Sequence, residues 1–96
     1  MTKYDIIYEV SLKTGISKKN VKKIMDTMVE IIKKYLLSGH NISWRNFCTF
    51  LIKKRAQKVA RNISKGISIK IPAHNIPFLK FSKVFKKKIK KKLPLN

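Results

Sequence analysis

Between Lys53 and Lys58 the sequence Lys-Lys-Arg-Ala-Gln-Lys offers no apolar face from which a globular core could be built, yet strand-like runs flank it on both sides. Upstream lies Phe47 to Ile52. Downstream, Ile67, Ile69 and Ile71 alternate with Ser68 and Lys70, the period of two that marks a strand. Ser64-Lys65-Gly66 reads as the reversal, with Gly66 supplying permissive backbone. The segment therefore reads as a hairpin that leaves the body. One long strand runs from Phe47 to about Val59, and the return strand starts at Ile67. Pro72 suits an edge position, where no ladder hydrogen bond is lost, and the strand resumes through Ile76 to Leu79. The tip, Ala60-Arg61-Asn62-Ile63-Ser64-Lys65-Gly66, holds Arg, Asn and one apolar residue. Arg and Asn suit the acceptors of a DNA minor groove, and an apolar neighbour can wedge between base steps.

The rest of the chain supplies the body. Thr2 followed by Asp5 reads as a capping box that opens a short helix with an apolar face at Ile6, Ile7 and Val10, ended by Gly15. Ser17 caps a second helix whose apolar positions, Val21, Ile24, Met25, Met28, Ile32, Tyr35 and Leu36, recur at three and four residues and read as core. Ser38-Gly39 stops it. Asn41 to Trp44 is a short strand, and Arg45-Asn46 a turn, since Asn tolerates positive φ better than most residues. Ser82 caps a last helix carrying Val84, Phe85 and Ile89, which Pro94 stops. The expectation is a single α+β domain over residues 1–96. It comprises a helical hairpin (1–39), a three-stranded antiparallel sheet (41–80) with an arm projecting at about 53–75, and a basic C-terminal helix (82–92).

Charge narrows the function. The chain has 24 Lys+Arg against 4 Asp+Glu, a net charge of +20. Asp5, Glu9, Asp26 and Glu30 all precede Ile31, and the remainder carries 18 Lys and Arg with no acid. Such an excess repels itself unless a polyanion binds it. Nucleic acid is the first candidate and an anionic membrane surface the second, although the apolar face of the lysine-rich helix is too narrow to favour a membrane. No apolar run approaches the ~20 residues of a membrane-spanning helix, and Asp5 and Glu9 break any signal-peptide pattern. His40 and His74 stand far apart. With one cysteine and four acids there is no ligand set for a metal. No catalytic residue, cofactor site or small-molecule substrate site is visible, so an enzyme is not expected. Cys48 reads as a small buried residue.

The order helix, helix, short strand, long basic hairpin, short helix resembles the bacterial HU and integration host factor family of nucleoid DNA-binding proteins. The likeness starts at Met1-Thr2-Lys3 and Lys13 to Lys19. It continues through Arg45-Asn46-Phe47-Cys48-Thr49-Phe50, similar to the family's Arg-Gly-Phe-Gly-Thr-Phe, and through the basic arm Lys53 to Ala56. Arg61 to Gly66 resembles Arg-Asn-Pro-x-Thr-Gly, and Ile69-Lys70-Ile71-Pro72-Ala73 and Phe78 to Lys83 complete it. The resemblance implies an intertwined dimer whose two β-ribbon arms reach into the minor groove. The family's tip proline, which partly intercalates, corresponds here to Ile63. Asn46 and Cys48 replace two glycines, and Phe81-Ser82 replaces a Pro-Gly turn.

On this reading the DNA-binding residues of arm and tip are Lys53, Lys54, Arg55, Lys58, Arg61, Asn62, Ile63, Lys65 and Lys70. Lys3, Lys80, Lys83 and Lys86 form a second layer on the body. Trp44, Phe47, Phe50 and Leu79 form the dimer core, and Lys87 to Lys92 acts as a general electrostatic clamp. The expected function is architectural: minor-groove binding that bends or compacts double-stranded DNA with little regard to sequence, by a homodimer or a heterodimer with a paralogue. The expected location is the bacterial cytoplasm, at the nucleoid, with an organelle nucleoid as the alternative. The rivals are a sequence-specific bender like integration host factor and a basic RNA-binding protein. The absence of an aromatic stacking platform argues against the latter.

Overall fold

The computed structural model describes residues 1–62 and 66–95, with the side chains of Arg61 and Asn62 outside that description. Two helices lead, α1 (Lys3–Thr14) and α2 (Lys18–Leu37). Five strands follow: β1 (Ile42–Trp44), β2 (Cys48–Arg55), β3 (Lys58–Asn62), β4 (Ile67–Ile71) and β5 (His74–Phe81). Helix α3 (Lys83–Lys92) comes last. The chain divides into two compact units, residues 1–34 and 35–96.

In the first unit the expected caps are present. The Asp5 carboxylate accepts from the Thr2 backbone N–H at 2.7 Å and from its hydroxyl at 3.1 Å. Gly15 ends α1 at φ 76°, a left-handed conformation that glycine adopts without a Cβ penalty, and donates its N–H to Ser11 O. The Ser17 hydroxyl accepts from Asn20 N–H at 3.2 Å and opens α2. Ile7 and Val21 are buried, and the Lys18 ammonium lies 4.8 Å from the centre of the Tyr8 ring. Much of the apolar face of α2 is nevertheless uncovered. Ile24 is 58 % exposed, and Met28 and Tyr35 are exposed too, so reading the whole face as core fails for a single chain.

The second unit is built on an antiparallel sheet in the order β1-β2-β5. β1 covers only Cys48 to Phe50, with Ile42 opposite Phe50 and Trp44 opposite Cys48. The Asn41 side-chain oxygen then accepts from Ile52 N–H at 3.2 Å beyond the end of β1. Past Phe50, β2 pairs with β5 alone as far as Arg55 opposite His74. Asn46 adopts φ 64° in the β1–β2 turn, which Phe47 N–H closes on Trp44 O at 3.0 Å. Cys48 is buried. Ser82 N–H donates to Phe47 O at 2.7 Å, while the Ser82 hydroxyl accepts from Phe85 N–H at 3.2 Å and caps α3. Phe85 seats α3 on an aromatic cluster, 6.0 Å from Phe47 and 5.4 Å from Phe81 between ring centres.

The expected long strand from Phe47 to Val59 is not continuous. It breaks at Ala56-Gln57, and the return strand breaks at Pro72-Ala73. Beyond the break β3 and β4 pair as a separate two-stranded ladder, Lys58 opposite Ile71 through Asn62 opposite Ile67. Pro72 lacks an N–H for the ladder at this point. The strand resumes at His74, earlier than Ile76, and runs on to Phe81. Pro77 is tolerated because β5 is an edge strand.

Candidate nucleic-acid interface

The ribbon gathers the cations picked out from the sequence onto one hairpin. Lys53, Lys54 and Arg55 occupy the last three positions of β2, opposite Ile76, Asn75 and His74. Lys58 opens β3, and Lys70 of β4 stands opposite Val59. All five are exposed. Strand alternation sends Lys53 and Arg55 to one face and Lys54 to the other, so positive charge lies on both sides of the ribbon. Lys53 is held over the Phe78 ring, 4.6 Å from its centre, which directs its ammonium along the ribbon face. The backbones of Arg61 and Asn62 close the ladder opposite Ser68 and Ile67. Ile63 and Lys65 lie outside the described residues.

No acidic side chain follows Glu30 in the sequence, so nothing on the ribbon's own segment neutralises these cations. The ribbon's own segment carries positive side-chain charge alone, the condition for capturing a string of phosphates through counterion release.

The body cations differ among themselves. Lys3 forms an ion pair with Asp26, which Lys22 also contacts at 2.8 Å. Hydrogen bonds from Lys22 and then Lys3 hold the Asp26 carboxyl below the usual aspartate range, and the bond to Asp26 raises Lys22. Lys80 stands opposite Thr49 on β5, and Lys83 opens α3. Lys86 borders an apolar groove with Phe81, Phe85 and Ile89. Of the residues expected at the dimer core, Trp44, Phe47 and Leu79 are 45 %, 41 % and 42 % exposed and Phe50 is half-buried, so one chain leaves them uncovered.

His74 was not expected at the site. It sits at the break, where it lines a cavity of about 380 Å³ with Arg55, Ala56, Lys58 and Ile71, and its Nδ1 lies 3.0 Å from Pro72 O. The signal that would have found it is the hairpin register, which brings a histidine sixteen to nineteen residues downstream beside Arg55 and Lys58.

An exposed, acid-free cationic ribbon on a small α+β body defines a polyanion-binding protein, and comparison with known proteins gives its lineage. The family model described as "Bacterial DNA-binding protein" matches residues 1–90. The DNA-binding protein HU of Lactococcus lactis is 35% identical over 88 residues, covering 92% of this chain and 97% of its own. HU of Thermotoga maritima is 36% identical over 90 residues, covering 94% and 100%. In structure, the chain is similar to HU in an Anabaena HU–DNA cocrystal, with a TM-score of 0.85, 24% identity and 99% and 100% of the two chains covered. The chain belongs to the bacterial DNA-binding protein family of HU and integration host factor.

Proposed function

We infer that this chain is an architectural DNA-binding protein of the bacterial nucleoid, which as a dimer lays two ribbon arms into the minor groove and bends the duplex. The observation that carries this is the ribbon itself: Lys53, Lys54, Arg55, Lys58 and Lys70 on a two-stranded hairpin with no acid on its segment, leading to Arg61 and Asn62. Family membership supports it, as does the cocrystallisation of the Anabaena relative with DNA. The work is binding and deformation, with no chemical step.

Dimerisation is supported by burial. Among the described residues only Ile7, Val21 and Cys48 are buried apolar side chains, while Trp44, Phe47, Leu79 and much of α2 stand open. A second copy, or a paralogue, would cover them. The family match runs unbroken over residues 1–90, in keeping with a single functional module. Phosphate contacts carry no sequence information, so recognition is largely independent of sequence.

The test follows a short duplex labelled at both ends, reading affinity and end-to-end energy transfer across a salt series. If 6–10 phosphates are neutralised, affinity falls by about 10³–10⁵ between 50 and 200 mM salt, and the ends draw together on binding. Affinity insensitive to salt would refute the mechanism. Binding without approach of the ends would leave a protein that coats DNA.

A further inference from the structure

Helix α3 carries a dense positive charge of its own, apart from the ribbon. Seven of its ten residues, Lys83, Lys86, Lys87, Lys88, Lys90, Lys91 and Lys92, are lysine, and all are exposed. At 1.5 Å per residue the helix is about 15 Å long, or one positive charge per ~2 Å. Duplex DNA carries one negative charge per ~1.7 Å, so the two linear densities nearly match. The helix tolerates this charge at a cost to itself. Lys83 with Lys87, Lys86 with Lys90, Lys87 with Lys91 and Lys88 with Lys92 are like charges four apart, a destabilising arrangement. Lys83, Lys86 and Lys87 also crowd the positive end of the helix dipole, with no acid in the first turn to offset them.

Position matters as much as density. Phe85 fixes the rotation of α3 by packing on Phe47 and Phe81. With 3.6 residues per turn, Lys87, Lys90 and Lys91 then fall on the side away from Phe85, facing solvent. The arm leaves β5 at His74, while α3 begins after Phe81 at the other end of the strand. Eight residues of extended chain put about 25 Å between these points. The family match ends at residue 90, so Lys91 and Lys92 lie beyond it.

We propose that the Lys87, Lys90 and Lys91 face of α3, rather than clamping the duplex gripped by the arms as its charge alone would imply, is a second phosphate-binding surface, which holds another duplex and so lets the protein bridge two DNA segments. The proposal rests on the DNA-binding reading above. Charge complementarity and separation from the arm are what favour a second duplex.

The test uses the full chain and two duplexes, one immobilised and one fluorescent, with the immobilised duplex saturated. The wild type captures the fluorescent duplex. The triple variant K87Q/K90Q/K91Q loses capture by at least about tenfold while single-duplex affinity changes by less than about threefold, and K87R/K90R/K91R retains capture. The dependence of capture on log salt weakens by about 3 per chain in the glutamine variant, one unit per lost phosphate contact. Glutamine is a good helix former, and circular dichroism of the variant checks that α3 persists. Unchanged capture in the glutamine variant overturns the proposal. So does equal loss of capture and single-duplex affinity, which would assign the face to the flank of the same duplex. Loss of binding to phosphatidylserine vesicles with capture intact would make a membrane the partner and likewise overturn it. A wild type that binds one duplex but captures no second defeats this proposal alone, whereas one that binds no duplex defeats the DNA-binding reading with it.

Discussion

Arg55 stands opposite His74 on the last pair that β2 and β5 share, and pairing resumes at Lys58 opposite Ile71. Each strand skips two residues, so the break neither slips the register nor adds a bulge. Side chains beyond it keep the faces they would have had in an unbroken ribbon, which matters because a slip of one residue would exchange those faces. The arm is therefore jointed and still in register.

The joint gives a first prediction. Pro72 cannot donate to the ladder, and Pro72→Thr returns an N–H together with a strand-favouring side chain. Amide exchange in β3 and β4 should slow severalfold in the variant, read by hydrogen-exchange mass spectrometry without DNA. Unchanged exchange would place the origin of the break in Ala56-Gln57 instead.

A second prediction concerns the β1–β2 turn. Asn46 holds φ 64°, where a Cβ is disfavoured and a β-branched one more so. Asn46→Gly should leave stability unchanged to within a few tenths of a kcal/mol. Asn46→Val should cost about 1–2 kcal/mol, the penalty of a left-handed conformation. Urea unfolding of the two variants measures both. An Asn46→Val protein as stable as the wild type would mean that the turn relaxes to another conformation.

Local chemistry was the legible part of this chain. Asp5, Gly15, Ser17, Asn46 and Ser82 each act through neighbours within a few residues, and each behaves as its type and spacing imply. The cationic hairpin was legible for a related reason: Lys53 to Lys58 offers no alternative burial. What stayed hidden depended on pairing at a distance. The break at Ala56-Gln57 arises with Pro72 and Ala73 across the hairpin, and strand propensity along one segment cannot register it. His74 joins Arg55 and Lys58 for the same reason. Periodicity marked Ile24, Met28 and Tyr35 as apolar-face residues, but it does not say whether their own chain covers them, and it does not.

Asp26 gives the third prediction. Its folded pKa is depressed by hydrogen bonds from Lys22 and Lys3, so its contribution to stability is present above the unfolded value and is lost as pH falls through the folded one. The loss falls below pH ~4. Lys22 is raised, so its share persists at neutral pH and disappears only in strong alkali. Asp26→Asn should lower the melting temperature at pH 7, and the gap to wild type should close as pH drops below ~4. The same variant releases Lys3. If Lys3 reaches phosphate, the slope of log affinity against log salt should steepen by about 1 per chain. A gap that persists into acid would mean that the ion pairs contribute nothing to folding.

The last prediction separates wedge from charge at the arm tip. The resemblance of Arg61 to Gly66 to the family's tip sequence sets Ile63 at the position of its intercalating proline, and isoleucine is among the apolar residues that can part a base step. Opening a step costs a few kcal/mol, recovered only when the bent duplex meets more of the protein. Removing the wedge should therefore lower deformation more than attachment. For Ile63→Ala, end-to-end energy transfer on a doubly labelled duplex should fall clearly while affinity stays within about threefold, because every cation remains. On the proposed function, Arg61→Ala removes a charge and a groove contact together. It should weaken binding by about tenfold or more, reduce bending, and lower the salt slope by about 1 per chain. If Ile63→Ala changes neither bend nor affinity, Ile63 is no wedge, and any bending by this protein must come from the basic flanks drawing the duplex around its body.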